Sequence, residues 1–179
     1  MNRREAIAAT AKLLGGSIIG AQLFLEGCVQ KKESASFAPD DLELLNEIGE
    51  TIIPQTPDSP GAKAAKISEF IQTMVTDCYS AEEQATFFSG LQLVREKAEQ
   101  KFDKDFMSLA PEQKHALLVD IDKEASQGEK PHYFQMMKQL TVLGYFSSQP
   151  GATEALRYVP IPGRYDGCIP YLQGQKAWA

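Results

Sequence analysis

The stretch 63-KAAKISEFIQTMVTDC-78 decides the fold. Ile67, Phe70, Ile71, Met74, Val75 and Cys78 recur every three or four residues, which puts them on one face of an α-helix with polar residues opposite. A strand would need strict alternation, and none of useful length occurs in the chain. Downstream, Ser80 and Glu83 have capping-box spacing, so a helix should begin near Ala81 with Phe88, Leu91, Val94, Ala98 and Phe102 facing inward. Pro111 opens the next helix, which turns Leu117, Leu118 and Ile121 inward; Gly128 and Pro131 lie beyond its end. A last helix runs roughly from His132 to Phe146 and buries Phe134, Met137, Leu140, Thr141 and Gly144. Upstream, Pro39-Asp40-Asp41 starts a helix, because proline fits a first turn and acids favour its positive end. Leu42, Leu45, Ile48 and Ile52 form its apolar face and Pro54 stops it. Between these helices, 52-IIPQTPDSPGA-62 reads as a rigid connector with three prolines. The expectation is an all-α domain over residues 39–179, a compact bundle of about five helices.

Residues 148–179 differ in character. Eight of the last 30 residues are Gly or Pro, and Tyr158, Tyr165, Tyr171 and Trp178 are interleaved among them. This segment is too apolar for an ordinary disordered tail and too broken for a helix. It is expected to wrap its own bundle or to cover a partner, since Tyr and Trp combine large contact area with a polar tip.

The amino end has the layout of an export signal over residues 1–27: Arg3 and Arg4, an uncharged run from Leu13 to Leu25, then Leu25-Glu26-Gly27-Cys28. The run falls short of the roughly 20 residues needed to span a bilayer as a helix. Paired arginines point to the twin-arginine route, which moves folded proteins. Ala6 stands where a bulky apolar residue is usual, so ordinary unfolded export remains the alternative. Leu25-x-Gly27-Cys28 resembles a lipobox, in which Cys28 becomes the first mature residue and carries acyl chains; otherwise it leaves with the signal. Residues 28–38 then form a tether, and the expected location is the periplasmic side of the envelope, anchored by lipid.

The net charge is −6; residues 1–27 carry three basic and two acidic side chains, which leaves a mature chain of −7. With no long Lys/Arg cluster, nucleic acid is set aside as a partner. Cys78 and Cys168 remain in the mature chain, and in an oxidising compartment they read first as a disulfide. His115 and His132 lack ligand spacing to either cysteine, so a metal site is not expected. No dinucleotide fingerprint, phosphate loop, paired-histidine motif or nucleophile elbow occurs. His115 reads as a surface residue and His132 as a helix-start residue. Asp120 and Asp122 point in adjacent helical directions without facing each other, and Met136-Met137 reads as core or partner surface. No catalytic, cofactor-binding or metal residue is expected in this chain.

Three segments carry a resemblance: Ile52-Ile53-Pro54-x-Thr56-x-x-x-Pro60-Gly61-Ala62; Leu140-Thr141-x-x-Gly144-Tyr145-Phe146-Ser147-Ser148; and Tyr158-x-Pro160-x-Pro162-Gly163-x-Tyr165-x-Gly167-Cys168. In this order behind an export signal they resemble the gluconate 2-dehydrogenase subunit 3 family, from about Pro39 to Tyr171. The resemblance implies a small non-catalytic subunit that supplies the export signal and helps a large subunit mature. That partner would be a flavoprotein of the glucose-methanol-choline (GMC) type holding FAD and oxidising a sugar, polyol or glycoside, often with a cytochrome c as electron carrier. Tyr145, Phe146, Tyr158, Tyr165, Tyr171 and Trp178 are the partner-binding candidates. The chain departs from the family in its lipobox, which would make it the membrane anchor, a task often left to the cytochrome. The alternatives are a self-sufficient periplasmic lipoprotein serving as a ligand-binding or envelope scaffold protein, and a stand-alone enzyme using His132 with nearby carboxylates.

Overall fold

Several helices begin where a nearby side chain or proline relieves the free backbone donors of the first turn. In α1 (Pro39–Ile52), Pro39 occupies the first turn and the Asp41 carboxylate accepts the Ala38 N–H at 3.1 Å. The computed structural model describes residues 36–128, 131–161, 163 and 167–178; Arg3, Arg4, Cys28 and Tyr165 lie outside the described residues. α2 spans Ile67–Cys78, α3 Ala81–Phe102, α4 Pro111–Gln127 and α5 Tyr133–Ser147. Short 3-10 turns at Ala62–Ala65 and Phe106–Ser108 join them, and a π-helical turn, Gly151–Ala155, follows α5. The fold is an all-α bundle, with five α-helices and no strand among the described residues.

The Ser80–Glu83 capping box forms as expected: Ser80 N–H donates to the Glu83 carboxylate at 2.8 Å, and Glu83 N–H donates to Ser80 Oγ at 3.3 Å. Gln113 does half of the same job for α4, accepting the Ala110 N–H at 3.1 Å. The core is built from Leu44, Leu45 and Ile48 of α1, Ile67, Ile71 and Val75 of α2, Phe87, Leu91, Val94 and Ala98 of α3, and Leu117, Leu118 and Ile121 of α4, all packed on α5.

Local readings shift in four places. The stretch 63–78 is not one helix: Lys66 adopts a left-handed conformation (φ 53°), and this sharp turn lets Ala62 and Ile67, on either side, both reach full burial. On α3 the innermost aromatic is Phe87, whereas Phe88 and Phe102 sit half-buried at the rim. Phe88 stacks there on Phe37 at 4.6 Å, so packing already begins within the expected tether 28–38. The α3–α4 link also reaches the core, because Phe106 of its 3-10 turn is fully buried.

α5 is the hub of the bundle and touches α1, α2, α3 and α4. Its approach to α2 is tight. A Cβ at Gly144 would lie 2.4 Å from Phe70 Cδ1 and 2.6 Å from Ile67 Cδ1, so only glycine admits this packing. Among the described residues, no helix is long and apolar enough to cross a membrane.

Candidate partner-binding surface

The segment 140-LTVLGYF-146 is apolar in every helical direction, more than one buried face can absorb. Leu140, Thr141, Gly144 and Tyr145 face the core. The remaining positions face out: Val142, Leu143 and Phe146 are 40%, 54% and 41% exposed. With Lys138 and Gln139 they form one continuous stripe along α5. Val142, Leu143, Ser126 of α4 and the ion pair Lys138–Asp122 (2.8 Å) line a surface depression of about 530 Å3. Single exposed apolar residues are ordinary, whereas a run of them on the most central helix makes this stripe the candidate interaction surface.

Tyr145 is a correction to the expected partner-binding set. Its ring is buried, and its hydroxyl donates to the Pro60 carbonyl at 2.5 Å, pinning the connector between α1 and the first 3-10 turn. Phe146 beside it stays exposed, as do Tyr158, Tyr171 and Trp178. Val142, Leu143, Ile161, Ile169 and Leu172 belong with them and escaped the aromatic reading; the all-round apolarity of residues 140–146 was the signal for the first two.

From Arg157 onward the C-terminal segment does not wrap the bundle: nearly all of its described residues are exposed. Instead it closes on itself. Arg157 N–H donates to the Ala177 carbonyl at 2.7 Å, the Arg157 guanidinium lies over the Trp178 ring at 4.4 Å, and the Lys176 ammonium meets the Glu154 carbonyl. Closing a loop of this length costs about 3 kcal/mol. A hydrogen bond returns about 1 kcal/mol and an exposed cation–π contact about 0.5–1 kcal/mol, so the closed loop sits near balance.

The expected Cys78–Cys168 bridge is not formed; both thiols are free and exposed. Cys78 is the last residue of α2 and Cys168 lies in the exposed C-terminal loop, with no shared buried site to hold them together.

The polar groups that could carry chemistry are already engaged or isolated. Asp120 bonds Lys101 of α3 at 2.6 Å, and Asp122 bonds Lys138 of α5, so the two carboxylates serve different helices. His115 is exposed beside a small cleft of about 160 Å3 shared with Ile52, Leu118 and Phe134. His132 caps α5, its Nδ1 accepting the Phe134 N–H at 3.2 Å. Partial burial pulls the His132 pKa down; Lys97 adds to this and Glu124 opposes it. Tyr133 is buried next to it without a partner for its hydroxyl, and burial, helped by Glu124, pushes its pKa up to about 12. Burial raises the Glu47 pKa, but Lys63 and Lys114 outweigh this and hold it below the usual carboxylate value. Among the described residues, no three His, Cys, Asp or Glu side chains come together as a metal-binding group.

No curated protein and no solved structure is significantly similar to the chain. The family model described as gluconate 2-dehydrogenase subunit 3 matches residues 39–163, which takes in all five helices, the α5 stripe and the start of the C-terminal loop. A match over this share of the chain shows that it belongs to the gluconate 2-dehydrogenase subunit 3 family.

Proposed function

We propose that this chain binds the catalytic subunit of a GMC-type FAD-dependent sugar, polyol or glycoside dehydrogenase in the cytoplasm, escorts it through twin-arginine export, and holds it at the periplasmic face of the membrane. The observation that carries this reading is the stripe Val142, Leu143 and Phe146, left uncovered on the helix that organises the whole bundle. Arg3 and Arg4 would address the folded pair for export, and Cys28 would take the lipid that retains it. FAD belongs to the partner, and a cytochrome c would receive its electrons. The role of this chain is binding and positioning.

Co-expression of the full chain with the dehydrogenase subunit, followed by affinity capture and a flavin absorbance spectrum, tests the reading. Wild type should bring down flavoprotein. Leu143→Asp should weaken capture roughly tenfold, the scale of a single interface anchor, with helical content unchanged. Recovery of a flavin-free monomer from wild type would sink the proposal. Replacing Arg3 and Arg4 by lysine should strand the pair in the cytoplasm, and Cys28→Ser should release it from membranes.

A further inference from the structure

The C-terminal loop sets a basic, apolar lobe on an acidic protein. Residues 157–179 hold Arg157, Arg164 and Lys176 against Asp166 alone, a side-chain charge of +2, which leaves −8 on residues 1–156 of a chain of −6. In the bundle, Lys63, Lys97, Lys101, Lys114 and Lys138 are each neutralised by a carboxylate. Arg157 instead lies on the Trp178 ring and Lys176 meets a carbonyl, so neither charge is offset by a carboxylate among the described residues. Six of the twelve large apolar side chains exposed among the described residues also fall between Tyr158 and Trp178. The most open of them are Ile161, Tyr171 and Leu172, at 85%, 76% and 69%. This combination suits a bilayer surface: aliphatic tips enter the acyl boundary, Tyr and Trp sit at headgroup level, and Lys or Arg meet anionic lipid. A protein partner would need the loop in one fixed shape, because the centre of such an interface packs as densely as a protein interior. The loop's closure sits near balance and offers no such shape, whereas a fluid interface asks for composition alone.

We infer that the C-terminal loop docks on the surface of an anionic phospholipid bilayer, with Ile161, Tyr171 and Leu172 entering the interface and Arg157 and Lys176 meeting the headgroups. The inference rests on the membrane-retention part of the proposed function and adds a second contact to the lipid on Cys28. Two weak contacts linked in one chain hold far better than either alone. The α5 stripe is left to the dehydrogenase subunit.

The test uses the full chain carrying Cys28→Ser, so that no acyl chain contributes, and vesicles of phosphatidylcholine with or without phosphatidylglycerol. Trp178 is the only tryptophan, so its emission reports the loop even where the uncharged run Leu13–Leu25 also binds lipid. Emission should shift to the blue with phosphatidylglycerol vesicles and much less with phosphatidylcholine alone, and the response should weaken as salt rises. Leu172→Asp should weaken the binding read at Trp178 roughly tenfold. Lys176→Gln should weaken it about fivefold, the scale of one cation at an anionic surface, with helical content unchanged in both variants. Emission unmoved by phosphatidylglycerol vesicles, or shifted equally by both lipids, overturns the inference. A shift on adding the dehydrogenase subunit in place of vesicles overturns it too and makes the loop a protein contact. In each case flavoprotein capture, and its loss in Leu143→Asp, still decides the accessory-subunit reading separately.

Discussion

Two segments of this molecule are rich in proline and glycine and lack regular structure, yet they behave in opposite ways. The connector between α1 and the first 3-10 turn is bolted to the bundle. The Glu50 carboxylate accepts the Gln55 N–H and the Lys63 N–H, both at 2.9 Å, and Tyr145 reaches the Pro60 carbonyl from α5. Ala62 N–H closes back on the Ile53 carbonyl at 3.0 Å. Gly61 is buried so tightly that a Cβ there would lie 2.1 Å from Glu50 Oε1. The C-terminal loop, by contrast, is held mainly at its base, by Arg157, Lys176 and Trp178, and its apolar side chains face outward. Proline and glycine content therefore does not say whether a loop is scaffold or interface. The number of side chains that reach in from helices to fix its backbone does.

The sharpest way to break that contrast is to truncate one tyrosine on each side of it. Tyr145→Ala should cost about 3–5 kcal/mol, because a fully buried aromatic is lost together with the anchor of the connector. Tyr171→Ala should stay within about 0.5 kcal/mol, as befits an exposed loop residue. Denaturant unfolding of the full chain measures both. Equal effects at the two positions would mean that the loop packs on the bundle in solution and that the contrast is mistaken.

Within the connector, Glu50→Ala should come next in size. Charged acceptors are worth more than neutral ones, but this carboxylate is partly solvated and water can replace it, so about 1–2 kcal/mol is expected. The loss should also raise protease cleavage near Pro57, where the backbone is exposed. Cleavage unchanged from wild type would show that Tyr145 alone fixes the connector.

Periodicity made the bundle legible, because burying one face of a helix leaves a trace every three or four residues. The starts at Pro39, Ala81 and Pro111 were readable from proline and from the Ser80–Glu83 pair, whose mechanisms are local. What depended on tertiary contacts was not. Nothing local tells Tyr145 from Phe146, since adjacent helical residues point about 100° apart and only the neighbouring connector decides which one is buried. Lys66 in a left-handed turn is equally invisible, because lysine has no preference for it and the core imposes it. Glu50 carries no local sign of its role, because the backbone donors it accepts from belong to the connector and the first 3-10 turn and lie five and 13 residues away. Of the surface, the stripe was half legible in the all-round apolarity of residues 140–146, and the loop's self-closure through Arg157 was not legible at all.

A smaller effect is expected from pH, through the cap of the helix that carries the stripe. The folded state lowers the His132 pKa from 6.5, so folding favours the neutral ring. That contribution is complete above pH 6.5 and fades as pH falls below it, through the lowered folded value, because the unfolded chain takes up the proton first. Protonated Nδ1 can no longer accept the Phe134 N–H, which acts in the same direction. His132→Asn keeps a capping acceptor without titrating and should flatten the decline just below pH 6.5. Glu47 begins to contribute only further down, below 4.5, where protonation frees Lys63 and Lys114. A decline below pH 6.5 that persists in His132→Asn would assign it to another group.

The smallest expected effect concerns the two thiols, and it bears on the contrast most directly. A bond between Cys78, at the end of α2, and Cys168, in the C-terminal loop, would staple the loop to the bundle and give it the kind of fixed anchor the connector has. With both thiols free and exposed, each should react at once with a maleimide in the folded protein, and prior reduction should change neither labelling nor the unfolding midpoint. Labelling that appears only after reduction, with a midpoint that drops alongside, would put a covalent tie in the loop. The loop would then belong with the scaffold, and the search for the dehydrogenase contact would narrow to Val142, Leu143 and Phe146.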